Sequence, residues 1–145
     1  MKTTETEAFL YAISKLSKSD ITAALLIKKL QQKGFKEIEI KKVVACLKKR
    51  GYLDDIRYAV NFINKYLING KKGPILLYYE LRKRGIAKSI CKPLIEELYT
   101  PEIELEAMKK IDVSDTKEKK KLIIKLKRKG FRLQAILLFL NSINR

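Results

Sequence analysis

The chain has 145 residues, 46% of them apolar, which is the length of one domain and enough for a sizeable core. Its 33 Lys and Arg stand against 16 Asp and Glu, and a net charge of +17 implies a polyanionic or acidic partner: nucleic acid, an anionic membrane or an acidic protein surface. There is no histidine, which removes the commonest general base and metal ligand, and Cys46 and Cys91, far apart and without a CxxC motif, read as free thiols rather than half a zinc site.

Apolar residues recur at helical spacing throughout and strand signals are nearly absent, so the pattern predicts an all-α chain. A first helix is expected over about Glu5 to Leu16, broken by Ser17-Lys18-Ser19-Asp20, which also offers caps for a second over about Ile21 to Lys33, ending at Gly34. A third spans about Glu37 to Arg50. It stops at Gly51, which can close a helix in the left-handed conformation, and Asp54 or Asp55 can cap the fourth, about Asp55 to Ile68. After Asn69-Gly70-Lys71-Lys72-Gly73, Pro74 opens a fifth helix to about Arg84, followed by Gly85. The sixth, about Lys88 to Tyr99, contains Pro93, which costs a hydrogen bond unless the helix begins late. The seventh follows Thr100-Pro101, about Glu102 to Ile111. Ser114-Asp115 precedes the eighth, ending near Lys129-Gly130, and the ninth runs over about Arg132 to Asn144.

Aligning Gly34, Gly85 and Gly130 exposes an internal repeat. Four residues before each glycine stand Leu30, Leu81 and Leu126; immediately before, Lys33, Arg84 and Lys129; immediately after, Phe35, Ile86 and Phe131. Six after come Ile40, Cys91 and Ile136; nine after, Val43, Leu94 and Phe139; ten after, Val44, Ile95 and Leu140; thirteen after, Leu47, Leu98 and Ile143. Such offsets draw one face of a helix. The expected fold class is therefore an elongated, solenoid-like array of three tandem three-helix repeats, residues 1–50, 51–99 and 100–145, in one continuous domain. Stacking would bury what each unit leaves exposed, and polar outer faces predict a monomer.

The chemistry points away from an enzyme. Asp54-Asp55 and Glu96-Glu97 are helix neighbours that do not converge, no phosphate loop appears, and no Cys/His or Ser/His pair can be built. No catalytic residue, metal or cofactor is expected. The polar N-terminus shows no signal peptide and no apolar run approaches the roughly 20 residues of a membrane span, so a soluble cytoplasmic protein without membrane contact is expected.

Binding remains. Residues 117–132 carry nine Lys/Arg against Glu118 alone, while residues 96–108 carry five glutamates and no cation. Lys125, Lys127, Arg128, Lys129 and Arg132, with Lys71-Lys72 and Arg82-Lys83-Arg84, are the expected contacts to an anionic partner. Lysine dominance favours phosphates of single- or double-stranded DNA over sequence readout. Tyr52, Phe62, Tyr78 and Phe139 sit in apolar stripes and read as core rather than stacking platforms.

Gly51-Tyr52-Leu53-Asp54-Asp55 followed by Arg57-Tyr58-Ala59, then Gly73-Pro74 and Glu80-Leu81-Arg82-Lys83-Arg84-Gly85-Ile86, resembles the signature region of the bacterial RecX regulatory proteins. Ala8, Tyr11-Ala12, Ser19, Lys29-Leu30 and Lys33-Gly34-Phe35 are similar to the family's opening. The likeness is strong over about 8–98 and is carried afterwards by the third glycine unit. It implies a tandem-repeat protein that binds the RecA filament in its helical groove and limits strand exchange, ATP hydrolysis and coprotease activity. It transfers no catalytic residue, and it assigns Gly34, Gly51, Leu53, Asp54, Asp55, Gly85 and Gly130 to architecture. The lysine-rich joint from Lys65 to Lys72 departs from the arginines frequent in the family, and the apolar run Ala135 to Leu140 is nearly continuous. A free-standing, non-specific nucleic-acid-binding protein is the alternative.

Overall fold

The computed structural model describes residues 3–114 and 116–143; Asp115 and Asn144, named above as helix boundaries, lie outside them. Among the described residues there are nine α-helices and no strand: α1 (Thr3–Lys18), α2 (Ala23–Lys33), α3 (Glu37–Lys49), α4 (Asp55–Asn69), α5 (Pro74–Lys83), α6 (Lys88–Leu98), α7 (Pro101–Lys109), α8 (Lys119–Arg128) and α9 (Leu133–Ile143). They form three tandem three-helix repeats. Two boundaries differ from expectation. α1 continues through Ser17 and Lys18, and the cap of α2 is Thr22, whose hydroxyl accepts from the Leu25 amide at 3.2 Å. α6 begins at Lys88, as expected, despite Pro93; the carbonyl this proline leaves without an intrahelical donor is that of Ser89, and both residues are exposed.

The aligned glycines all take positive φ, 100° at Gly34, 88° at Gly85 and 93° at Gly130. After Gly34 and Gly130 the next amide reaches back to the aligned leucine, Phe35 to the Leu30 carbonyl and Phe131 to that of Leu126, both at 3.2 Å, which closes the helix end. The repeat positions are the core: Leu30, Leu81 and Leu126 are fully buried, as are Cys91 and Ile136, with Ile40 at 3% exposure. The third copy departs at its end, where Ile143 is exposed and its equivalent Leu47 is buried.

The chain divides into two compact units. Unit 1 comprises residues 1–58 and 84–86; unit 2 comprises 59–83 and 87–145. In unit 1, α1 packs on α3 and α2 around Ala8, Ala12, Leu26, Leu30, Val43 and Leu47. In unit 2, α5 packs on α6, and α9 on α7 and α8.

The corner after α3 belongs to unit 1. Gly51 takes φ 78°, and the Tyr52 amide donates to the Leu47 carbonyl at 2.9 Å. Leu53 is buried, and Asp54 caps α4 by accepting from the Arg57 amide at 3.1 Å. The Arg57 guanidinium returns to the corner, donating to the carbonyl of Gly51 at 2.9 Å. Asp55 works elsewhere: its Oδ1 accepts from the Ala23 amide at 2.9 Å, at the start of α2.

A contact of one design appears once in each unit. In unit 1 the Thr22 hydroxyl, twelve residues before Gly34, donates to the Arg84 carbonyl at 2.8 Å, and a Cβ on Gly85 would collide with Ala24. In unit 2 the amide of Gly73, twelve residues before Gly85, donates to the Lys129 carbonyl at 2.7 Å, and a Cβ on Gly130 would collide with Leu76. Each glycine turn is thus seated against the first turn of a helix, α2 or α5. Close approach, besides positive φ, demands glycine there.

Candidate partner interface

The third repeat concentrates the charge. α8 has Lys119, Lys120 and Lys121 in its first turn and no acidic residue there, although a helix N-terminus disfavours cations. Glu118 precedes it without making a side-chain cap, and pairs loosely with Lys121 at 3.9 Å. Spacings of three and four residues bring Lys121, Lys125, Arg128 and Lys129 around a shallow groove of about 430 Å³, with the half-exposed Ile124 among them. Lys127 is exposed, and the Lys125 ammonium donates to the Asp112 carbonyl at 3.0 Å. Asp112 is held below its ordinary carboxylate value by hydrogen bonds, first from the Ser114 side chain and then from its amide.

The two clusters expected from the sequence meet in unit 2. The Gly73 amide bonds the Lys129 carbonyl at 2.7 Å and the Ile75 amide bonds the Gly130 carbonyl at 2.9 Å, so the Lys71-Lys72 joint lies beside the turn that ends α8. Lys71 is exposed there. Lys72 is turned inward: its ammonium donates to Glu80 at 2.7 Å and lies 4.5 Å from the centre of the Tyr66 ring. The Glu80 hydrogen bond raises the Lys72 pKa, burial opposing and the Tyr66 hydroxyl adding. Arg82 and Lys83 are exposed near the end of α5, and Arg84, partly buried, belongs to unit 1.

Arg132 has a structural task that charge counting missed. Its Nε donates to Glu104 Oε1 at 2.8 Å, its amide to Glu104 Oε2 at 2.8 Å and its Nη2 to the Tyr99 carbonyl at 3.1 Å. Glu104 is 1% exposed. Tyr99 is fully buried, and its hydroxyl donates to the Lys72 carbonyl at 2.8 Å. Burial, with Glu104 adding and Arg132 opposing, holds that hydroxyl well above its ordinary value of 10.0. No local spacing could reveal these links, since Arg132 and Glu104 lie 28 residues apart.

The aromatic residues also sort differently from expectation. Phe139 is core, Phe62 and Tyr78 are partly buried, and Tyr52 is 53% exposed. Tyr79, not singled out in the sequence, is 64% exposed. Among the described residues no group of three His, Cys, Asp or Glu could hold a metal ion, and no helix is long and apolar enough to cross a membrane.

No family model matches the chain. It is 34% identical over 134 residues to the regulatory protein RecX of Caldanaerobacter subterraneus subsp. tengcongensis, an alignment covering 90% of this chain and 67% of the relative. It is 29% identical over 140 residues to the regulatory protein RecX of Trichlorobacter lovleyi, covering 90% and 91%. Its fold matches the crystal structure of RecX from Lactobacillus salivarius with a TM-score of 0.90 at 20% identity, over 99% of both chains. The chain belongs to the regulatory protein RecX family.

Proposed function

We propose, from membership of that family, that this chain is a non-enzymatic, monomeric, cytoplasmic regulator that binds the RecA–DNA filament along its groove and inhibits its recombinase, ATPase and coprotease activities. The observation that carries the interface is the cationic groove of α8, where Lys121, Lys125, Arg128 and Lys129 surround Ile124 beside the Lys71-Lys72 joint. Four cations around one groove repel one another, and the three lysines in the first turn of α8 add to that repulsion. An anionic surface relieves both. Arg82 and Lys83 are second contributors. Lys72 and Arg132 serve chiefly by holding the joint and the start of α9 in place.

The test is RecA ATPase on single-stranded DNA, titrated with this protein. Inhibition is expected, and exchanging Lys125, Lys127, Arg128 and Lys129 for glutamate should weaken it without unfolding the chain. Because Lys125 also bonds Asp112, the pair Lys127→Glu and Arg128→Glu serves as the milder variant. Unchanged inhibition by both variants places the contact elsewhere. Salt-sensitive DNA binding with no effect on RecA would instead favour a free-standing nucleic-acid-binding protein.

A further inference from the structure

The four positions that line the groove between α5 and α6 have different occupants in the three repeats. Seven and six residues before the aligned glycine, and three and seven after it, the first repeat has Ile27, Lys28, Glu37 and Lys41. There Glu37 and Lys41 neutralise each other at 3.4 Å. The third repeat has Ile123, Ile124, Leu133 and Leu137, all aliphatic. The second has Tyr78, Tyr79, Lys88 and Lys92, and this combination carries a chemistry the other two lack.

The α5–α6 groove lies within unit 2 and has a volume of about 390 Å³, lined by Ile75, Tyr78 and Tyr79 from α5 and by Lys88, Lys92 and Glu96 from α6. Tyr78 and Tyr79 stand edge to face, centres 5.2 Å apart with planes at 80°. Tyr79 is 64% exposed, so its ring is not spent on the core, and Ile75 beside it is 43% exposed. Lys88 and Lys92 are both exposed, one turn apart, and neither forms an ion pair with the described carboxylates, although Glu96 lines the same groove. Lys88 is also the first residue of α6, where a cation is disfavoured. An exposed π-face beside two cations left unneutralised is the arrangement on which a base stacks while its flanking phosphates meet ammonium groups.

We propose that this α5–α6 groove binds single-stranded nucleic acid, with a base stacked on Tyr79 and backbone phosphates on Lys88 and Lys92. A duplex keeps its bases stacked internally and offers none to the ring, so selectivity for single strands follows. Like charges at Lys88 and Lys92 oppose the helix until an anion lies between them. The proposal deepens the reading of the chain as a regulator acting on a DNA-bearing filament and rests on it for its setting, but its test does not need RecA.

The experiment is fluorescence anisotropy of a labelled oligothymidylate with the full chain, beside a labelled duplex. Tyr79→Ala should weaken single-strand binding about tenfold and leave duplex binding unchanged, and Tyr79→Phe should retain wild-type affinity. Lys88→Gln and Lys92→Gln should each lower the slope of log affinity against log salt by about 0.7. Because Tyr79 is exposed and alanine is a good helix former, Tyr79→Ala should melt like the wild type. The chain has no tryptophan, so tyrosine emission quenched by the oligonucleotide and lessened in Tyr79→Ala is a second readout. Wild-type affinity in Tyr79→Ala overturns the proposal. So does equal competition by polyglutamate, which would assign the groove to an acidic protein segment, or by tripolyphosphate, which would reduce it to a simple anion site. If RecA ATPase is untouched while Tyr79→Ala loses the oligonucleotide, the regulator reading fails and the groove stands.

Discussion

The carboxylate of Glu104 receives Arg132 twice, through the guanidinium at 2.8 Å and through the backbone amide that precedes α9, also at 2.8 Å. One buried acid therefore caps one helix and anchors a cation from the same residue. The two ends are not equivalent, since Glu104 is 1% exposed and the Arg132 side chain 35%. Arg132→Met leaves a buried carboxylate without its counter-charge and should cost about 3–5 kcal/mol in urea denaturation at neutral pH. Glu104→Gln should cost less, because the freed guanidinium reaches water.

Glycine substitutions should separate conformation from contact. Gly34 has φ 100° with open space where a Cβ would stand, whereas the same atom on Gly85 or Gly130 meets Ala24 or Leu76. Gly34→Ala should cost about 1 kcal/mol, the strain of a left-handed alanine. Gly85→Ala and Gly130→Ala carry that strain plus a collision and should each cost at least about 2 kcal/mol more, read from the denaturation midpoint. Equal costs at all three positions would show that the seating of the turns contributes nothing.

Alkali should unfold the protein through unit 2. Tyr99 and Lys72 both hold their protons more tightly folded than unfolded, from ordinary values of 10.0 and 10.5. The folded state then binds more protons than the unfolded state, so stability falls with rising pH. Their contribution is intact below about pH 10 and is lost above it, as pH climbs toward the raised folded values. Melting temperature should be flat toward pH 10 and then drop, and Tyr99→Phe should flatten the drop while costing about 1 kcal/mol at neutral pH for the lost bond to the Lys72 carbonyl.

The adjacent aspartates at the first corner should respond through different helices. Asp54 caps its own helix, so Asp54→Ala should cost about 1 kcal/mol and speed amide exchange at the start of α4. Asp55 serves the Ala23 amide, so Asp55→Ala should speed exchange at the start of α2, 32 residues away. Exchange changes confined to α4 in both variants would contradict this division.

Periodicity and glycines made the helices and their threefold repeat legible, because both are local: an apolar face has a fixed spacing and a helix end favours one residue type. What sits between repeats was not legible. Thr22 and Gly73 occupy the same repeat position and hold the same partner carbonyl, one by a hydroxyl and the other by an amide, so no shared residue marks the contact. Charge counting drew attention to α8 but could not show what Arg132 holds, since a cation needed by a buried acid looks like any other in sequence. It also counted Glu104 only as one of five glutamates over residues 96–108. Aromatic residues were hardest: Tyr99 is buried, Tyr52 and Tyr79 are exposed, and which face of a helix is covered depends on neighbours far along the chain.

Residues 84–86 belong with unit 1 although the residues on either side of them belong with unit 2. Neither compact body is written as one uninterrupted stretch of codons. A stop codon after residue 58 would release unit 1 without the carbonyl that Thr22 grips and without buried Ile86. Fragment complementation, in which the two halves are expressed separately and mixed, would thus have to pass those three residues from one half to the other. Dissecting this protein calls for point substitutions rather than scissors.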